Sequence, residues 1–106
     1  MTIVAETEDV VVREATASDV PQILEMIHEL AHNEGSPDQV ETSEEDLARL
    51  LFPESIGERA RTPSGLPAAF CLVVDGPTPG HLYGMALWYL TTSTWTGRHG
   101  IHLEDL

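Results

Sequence analysis

Two groups of residues in this chain have types and spacings that could do chemistry. The run His28-Glu29-Leu30-Ala31-His32 fits the His-Glu-x-x-His pattern of zinc peptidases. On a helix, two histidines four apart share a face and reach one metal, with the glutamate placed to activate a bound water. A catalytic zinc also needs a third protein ligand, and His81, His99 and His102 lie in turn or strand contexts that single none of them out. The second group is acidic and aromatic: Glu34 where the same helical stretch ends, Trp95 in a later turn, and Glu104-Asp105 in the last strand. A carboxylate on a sheet surface near an aromatic ring suits an ammonium group. Adjacent strand residues point to opposite faces, so one of Glu104 and Asp105 is expected to face any given side of the sheet.

Other chemistries are missing their parts. There is no Gly-x-Gly-x-x-Gly, no Gly-x-x-x-x-Gly-Lys, and no Ser-His-Asp or Cys-His pattern at a recognisable spacing. Five Lys and Arg against 18 Asp and Glu give a net charge of -13, which repels phosphate backbones and anionic membrane surfaces but attracts small cations. Nucleic acid and membrane are therefore not expected as partners. Cys71 is the single cysteine and sits in the apolar run Ala69-Phe70-Cys71-Leu72-Val73-Val74. It has no internal disulfide partner, reads as a small core residue, and points to a reducing, cytoplasmic setting.

The elements that must position these residues follow from periodicity. Residues 1–9 carry three acids and no long apolar run and read as a loose tail, leaving 10–106 as the folded part. Val10-Val11-Val12-Arg13 is a short β-branched strand. Ser18 then caps a helix that tolerates Pro21 in its first turn, with Val20, Ile23, Leu24, Ile27, Leu30 and Ala31 on its apolar face and Gly35 and Pro37 at its end. His28 and His32 fall beside that face and are expected to look outward. Thr42 or Ser43 caps a second, shorter helix with Glu44, Glu45 and Asp46 in its first turn, running to about Phe52. Residues 53–67 read as a surface loop. Ala69 to Val74 and Leu82 to Thr92 form an antiparallel hairpin across a Gly- and Pro-rich turn, and after a turn at Thr96–Gly100 the last strand starts at Ile101. The order is β-α-α-β-β-β, an α+β fold with a mostly antiparallel sheet.

These residues together resemble the opening of the GNAT N-acetyltransferases, and within them the diamine (spermidine/spermine) N1-acetyltransferase group. The resemblance runs through Val11-Val12-Arg13-Glu14-Ala15-Thr16-Ala17-Ser18-Asp19, Glu29-Leu30-Ala31-His32-Asn33-Glu34, Gln39-Val40, the helix start at Thr42 to Leu47, and Tyr83-Gly84-Met85-Ala86-Leu87-Trp88-Tyr89. Its most specific part is Thr94-Trp95-Thr96-Gly97-Arg98 ahead of Ile101-His102-Leu103-Glu104-Asp105-Leu106.

The resemblance implies the N-terminal half of a GNAT fold whose parent activity moves acetyl from acetyl-CoA to a primary amine, a diamine or polyamine above all. It implies no metal, and puts the His-Glu-x-x-His string on the exposed side of the first GNAT helix. By resemblance, Glu34, Glu104, Asp105 and Trp95 are substrate-binding, and Leu106 approaches the cofactor. The family's Arg/Gln-x-x-Gly-x-Gly/Ala pyrophosphate loop and its late tyrosine acid do not occur in these 106 residues. The chain alone is therefore expected to be inactive, with no catalytic residue of its own. Completion would come from a homodimer or a complementing C-terminal half. A reading of a different class is a non-catalytic module that pairs through its unfinished sheet edge.

Overall fold

The computed structural model describes residues 2–59, 62, 63 and 65–106. Its strands are β1 (Ile3–Glu6), β2 (Val11–Glu14), β3 (Phe70–Asp75), β4 (Leu82–Ser93) and β5 (Arg98–Asp105), and its helices are α1 (Val20–Asn33) and α2 (Glu44–Leu51), which lie between β2 and β3. The sheet runs β1-β2-β3-β4-β5 in space, so each strand pairs antiparallel with its sequence neighbour. The fold is α+β, as the sequence pattern implies, with one strand more than expected.

That extra strand is β1. The tail expected over 1–9 instead contributes an edge strand whose Ala5 and Glu6 lie opposite Val12 and Val11. All four of its side chains are exposed. Nothing in the core selects it; its ladder with the β-branched β2 does.

The sheet has two faces with different fates. Arg13, Val73 and Met85 lie in register across β2, β3 and β4, and so do Cys71 and Leu87 across β3 and β4. These residues are buried beneath the helices together with Val20, Ile23, Leu47, Ala48 and Leu51. Ile23 and Val73 are fully enclosed, and each side chain so buried contributes roughly 1.5–3 kcal/mol relative to exposure. On the opposite face Phe70 stacks on Trp88 with ring centroids 4.8 Å apart. Leu90, Ile101 and Leu103 are exposed on that same face.

One cation ties three elements together inside the core. Arg13 donates from Nη1 and Nη2 to the two carboxylate oxygens of Asp19 at 2.7 and 3.0 Å, and from Nε to Asp75 at 2.5 Å. Asp19 also accepts from the Thr16 amide at 2.7 Å. Thr16, rather than the expected Ser18, therefore opens the 3-10 turn Ala17–Asp19 that leads straight into α1. Burial pushes the Asp19 carboxyl up, but the hydrogen bonds from Arg13 and Thr16 outweigh it and hold the group below the usual carboxylate range.

The remaining placements are local. Ser43 caps α2 and exchanges hydrogen bonds with Asp46 in a capping box, both at 3.1 Å. Pro53 is buried and opens a 3-10 turn (Pro53–Ile56) at the head of the stretch expected as a loop. Farther on, Arg49 holds Glu58 at 2.8 Å. Gln22 in α1 donates to the Gly80 carbonyl and accepts from the Leu82 amide, both at 2.8 Å, which fixes the helix over the start of β4.

Candidate functional site

The C-terminal end of α1 sets the first acid. Gly35 takes φ +77°, the left-handed conformation that glycine adopts without steric cost. Its amide donates to the His32 carbonyl at 3.0 Å and the Ser36 amide to the Ala31 carbonyl at 2.9 Å. These two bonds close a Schellman motif and leave Glu34 as the C-cap. A carboxylate at the negative end of a helix gains nothing from the dipole, so this end of α1 favours a cation.

The other two acids come from β5. Leu87 lies opposite Asp105 and Trp88 opposite Leu103, so Glu104 has no partner on β4 and forms a bulge. The bulge undoes the alternation expected of neighbouring strand residues. Asp105 shares the helix-side face with Leu87 and Cys71. Glu104 turns to the same side, where its Oε2 lies 3.5 Å from Nε2 of His102, and His102 in turn lies opposite Tyr89, ring centroids 4.8 Å apart. Both acids thus serve one face, which alternation alone forbids.

Electrostatics link the three acids. Asp105 is partly buried; desolvation pushes its carboxyl above the usual range, and the charges of Glu104 and Glu34 push it further. Leu106 follows, 80% exposed. With Met26, Leu30, Asn33 and Met85 it lines a cavity of about 250 Å³ between α1 and β4. The arrangement offers anionic charge, a neighbouring cavity and the Tyr89 ring to a small cation.

Trp95 is not brought to this cluster. It sits in the β4–β5 turn, 98% exposed. The turn lies six residues along β4 from the Leu87–Asp105 pair, roughly 20 Å at about 3.3 Å per residue. Conversely, Tyr89 and His102 join the acids through strand register, which depends on the bulge and leaves no local mark in the sequence.

His28, Glu29 and His32 are exposed on α1. Among the described residues no three of His, Cys, Asp and Glu gather as a metal site. Cys71 is buried, and desolvation together with the charges of Asp19 and Asp105 pushes its thiol up to about 12, so at neutral pH it is the unreactive protonated form. Among the described residues no helix is long and apolar enough to cross a membrane.

No family profile matches the chain. It is 41% identical over 103 residues to a thialysine N-epsilon-acetyltransferase of Sus scrofa, matching 92% of this chain and 54% of that protein. It is 39% identical over 101 residues to the same-named protein of Mus musculus. A spermidine/spermine N(1)-acetyltransferase-like protein 1 of Homo sapiens is 32% identical over 99 residues, 89% of this chain and 12% of that protein. Together with the antiparallel sheet and helices α1 and α2, these similarities fit the N-terminal half of a GNAT N-acetyltransferase. These relatives are thialysine N-epsilon-acetyltransferases and a spermidine/spermine N(1)-acetyltransferase-like protein. The chain spans about half the length of the thialysine enzymes, 54% and 52%.

Proposed function

We propose that this chain supplies the amine-binding half of an acetyltransferase that moves acetyl from acetyl-CoA to a primary amine, with diamines, polyamines and thialysine-like amines as the substrate class. The observation that carries this reading is that Glu104 and Glu34, the latter at the end of α1, both act electrostatically on the partly buried Asp105, whose neighbour Leu106 lines a cavity. A primary ammonium placed there relieves that repulsion and leaves its alkyl chain to the cavity. The names of the relatives point to the same substrates.

The residues present do not make a cradle for the pyrophosphate of acetyl-CoA. The sequence has no glycine-rich anion loop and carries a net charge of -13, and the cavity that Leu106 lines has no cationic side chain among its lining residues. The chain's own contribution is therefore amine recognition, and the 106 residues by themselves do not turn over. A second copy or a C-terminal half completes the enzyme, in the cytoplasm.

Acetyl-CoA turnover on thialysine, spermidine and 1,4-diaminobutane tests this directly. It would be measured for the chain alone and with the C-terminal half of a relative supplied in trans. Turnover only in the complemented form is expected; turnover by the chain alone would overturn the division of labour. No amine binding by either form would overturn the substrate reading.

A second reading, strand addition at β5, is favoured by one observation. Among the described residues β5 pairs on one side only, and its Ile101 and Leu103 are exposed. A monomeric mass in solution would count against it.

A further inference from the structure

We infer that His102 is the positioning residue that decides whether Glu104 is available to the amine. This rests on the amine-binding reading above and adds to it a residue that the acids alone do not account for. His102 and Glu104 are both about half exposed, and Nε2 lies 3.5 Å from Oε2. Strand alternation already puts Glu104 on the face of His102, two residues before it, and the bulge is what brings Asp105 to that face as well. The ring lies against Tyr89, its partner on β4, with centroids 4.8 Å apart.

The chemistry follows from what imidazole and ammonium each need. Imidazolium is a cation and takes Glu104 as its counter-ion; neutral imidazole leaves Glu104 to another cation. A primary ammonium stays charged across the pH range in which histidines titrate. The two cations therefore compete for one carboxylate, and protonation of His102 and capture of the amine are linked with opposite sign. The groups that face His102 are few: Glu104 on its own strand and Tyr89 on β4, the one strand beside it among the described residues. Asp105 and Glu34 act on the same site through Glu104's neighbourhood.

The sign is fixed by this competition. An imidazolium at position 102 is the cation at Glu104 and displaces the amine; a neutral imidazole leaves the carboxylate to it. Asp105 and the other carboxylates also lose charge in acid, so the pH profile of the native chain is not enough on its own. Substitution at His102 separates the two contributions.

The test is calorimetric titration of the 106-residue chain with 1,4-diaminobutane at pH 5.5 and pH 7.5 and fixed ionic strength. The native chain is expected to bind about tenfold more tightly at the higher pH. His102→Gln is expected to keep only the part of that difference that the carboxylates contribute, and so to show a clearly smaller change between the two pH values than the native chain. His102→Lys, a fixed cation, is expected to bind weakly at both. Both substitutions are at a half-exposed site, and circular dichroism of each variant checks that it folds. Binding by His102→Gln with the native pH dependence, or tight binding by His102→Lys at pH 7.5, overturns the inference and leaves the amine site standing. Absence of binding at either pH, by the native chain alone and with the C-terminal half of a relative supplied, overturns both.

Discussion

Arg13 and Asp19 face each other through two parallel hydrogen bonds, Nη1 to Oδ2 at 2.7 Å and Nη2 to Oδ1 at 3.0 Å, with both side chains more than nine-tenths buried. The pair joins β2 to the lead-in of α1, and Asp75 extends it to β3. It fixes the angle at which α1 crosses the sheet, and so where the helix delivers Glu34. Breaking such a pair from one side strands a buried charge. Arg13→Met leaves two carboxylates without their cation and is expected to cost about 3–5 kcal/mol, with Asp19→Asn costing less. Urea denaturation of both variants measures this, and a loss below about 1 kcal/mol for Arg13→Met would show the triad to be peripheral.

The same pair sets an acid limit on stability. Asp19 is held below the usual carboxylate range in the folded chain, so its stabilising contribution is complete above the ordinary carboxylate value of about 3.9 and is lost as pH falls below it toward the folded value. Thermal melts between pH 6 and pH 3 should drop more steeply for the native chain than for Asp19→Asn. Parallel curves would remove Asp19 from the acid response.

Asp105 carries the opposite sign. Its carboxyl is raised by desolvation and by Glu104 and Glu34, so its ionisation costs stability once pH climbs past the ordinary carboxylate value, and the full cost is present above its folded value. Asp105→Asn is expected to raise the melting temperature at pH 7 while weakening 1,4-diaminobutane binding tenfold or more. Stability traded against recognition in this way is the mark of a working site. Lower stability with binding intact would mean that Asp105 is structural. A polyamine should likewise raise the native melting temperature, since it binds the folded form.

Much of this architecture is legible locally. The capping box of α2 shows in Ser43 and Asp46, the Schellman end of α1 in Gly35, and the β3–β4 hairpin in two apolar runs around a Gly- and Pro-rich turn. What escapes local reading is register. The strand Ile3–Glu6 exists because β2 offers it a ladder, and its acidic flank hides it. The burial of Arg13 depends on two aspartates, one of them 62 residues away. Glu104 and Asp105 share a face because of a bulge that only the pairing with β4 reveals. Glu34, Glu104 and Asp105 were nameable as acids of interest from their types; Tyr89 and His102 became visible only once register placed them.

Cys71 offers a check on the core. Its thiol, buried and pushed up to about 12, presents no thiolate at neutral pH. Iodoacetamide should label the native chain at least a hundredfold more slowly than the urea-unfolded chain. Fast native labelling would mean that β3 and β4 open readily over that position.

Trp95 supplies the last test, because types and geometry disagree about it. An aromatic ring near a carboxylate suits an amine, yet Trp95 is 98% exposed at the far end of the β4–β5 hairpin, roughly 20 Å along the strands from Asp105. Within one chain its ring does not reach an amine held by Asp105. Trp95→Ala is therefore expected to leave 1,4-diaminobutane affinity unchanged within twofold at protein concentrations where the chain is monomeric. If a second copy completes the site, the effect of the substitution should grow with protein concentration, in step with the mass measured by light scattering. Loss of affinity in the monomer would instead require the hairpin to bend back over the acids, a geometry that its seven ladder pairs from Leu87–Asp105 to Ser93–Arg98 resist.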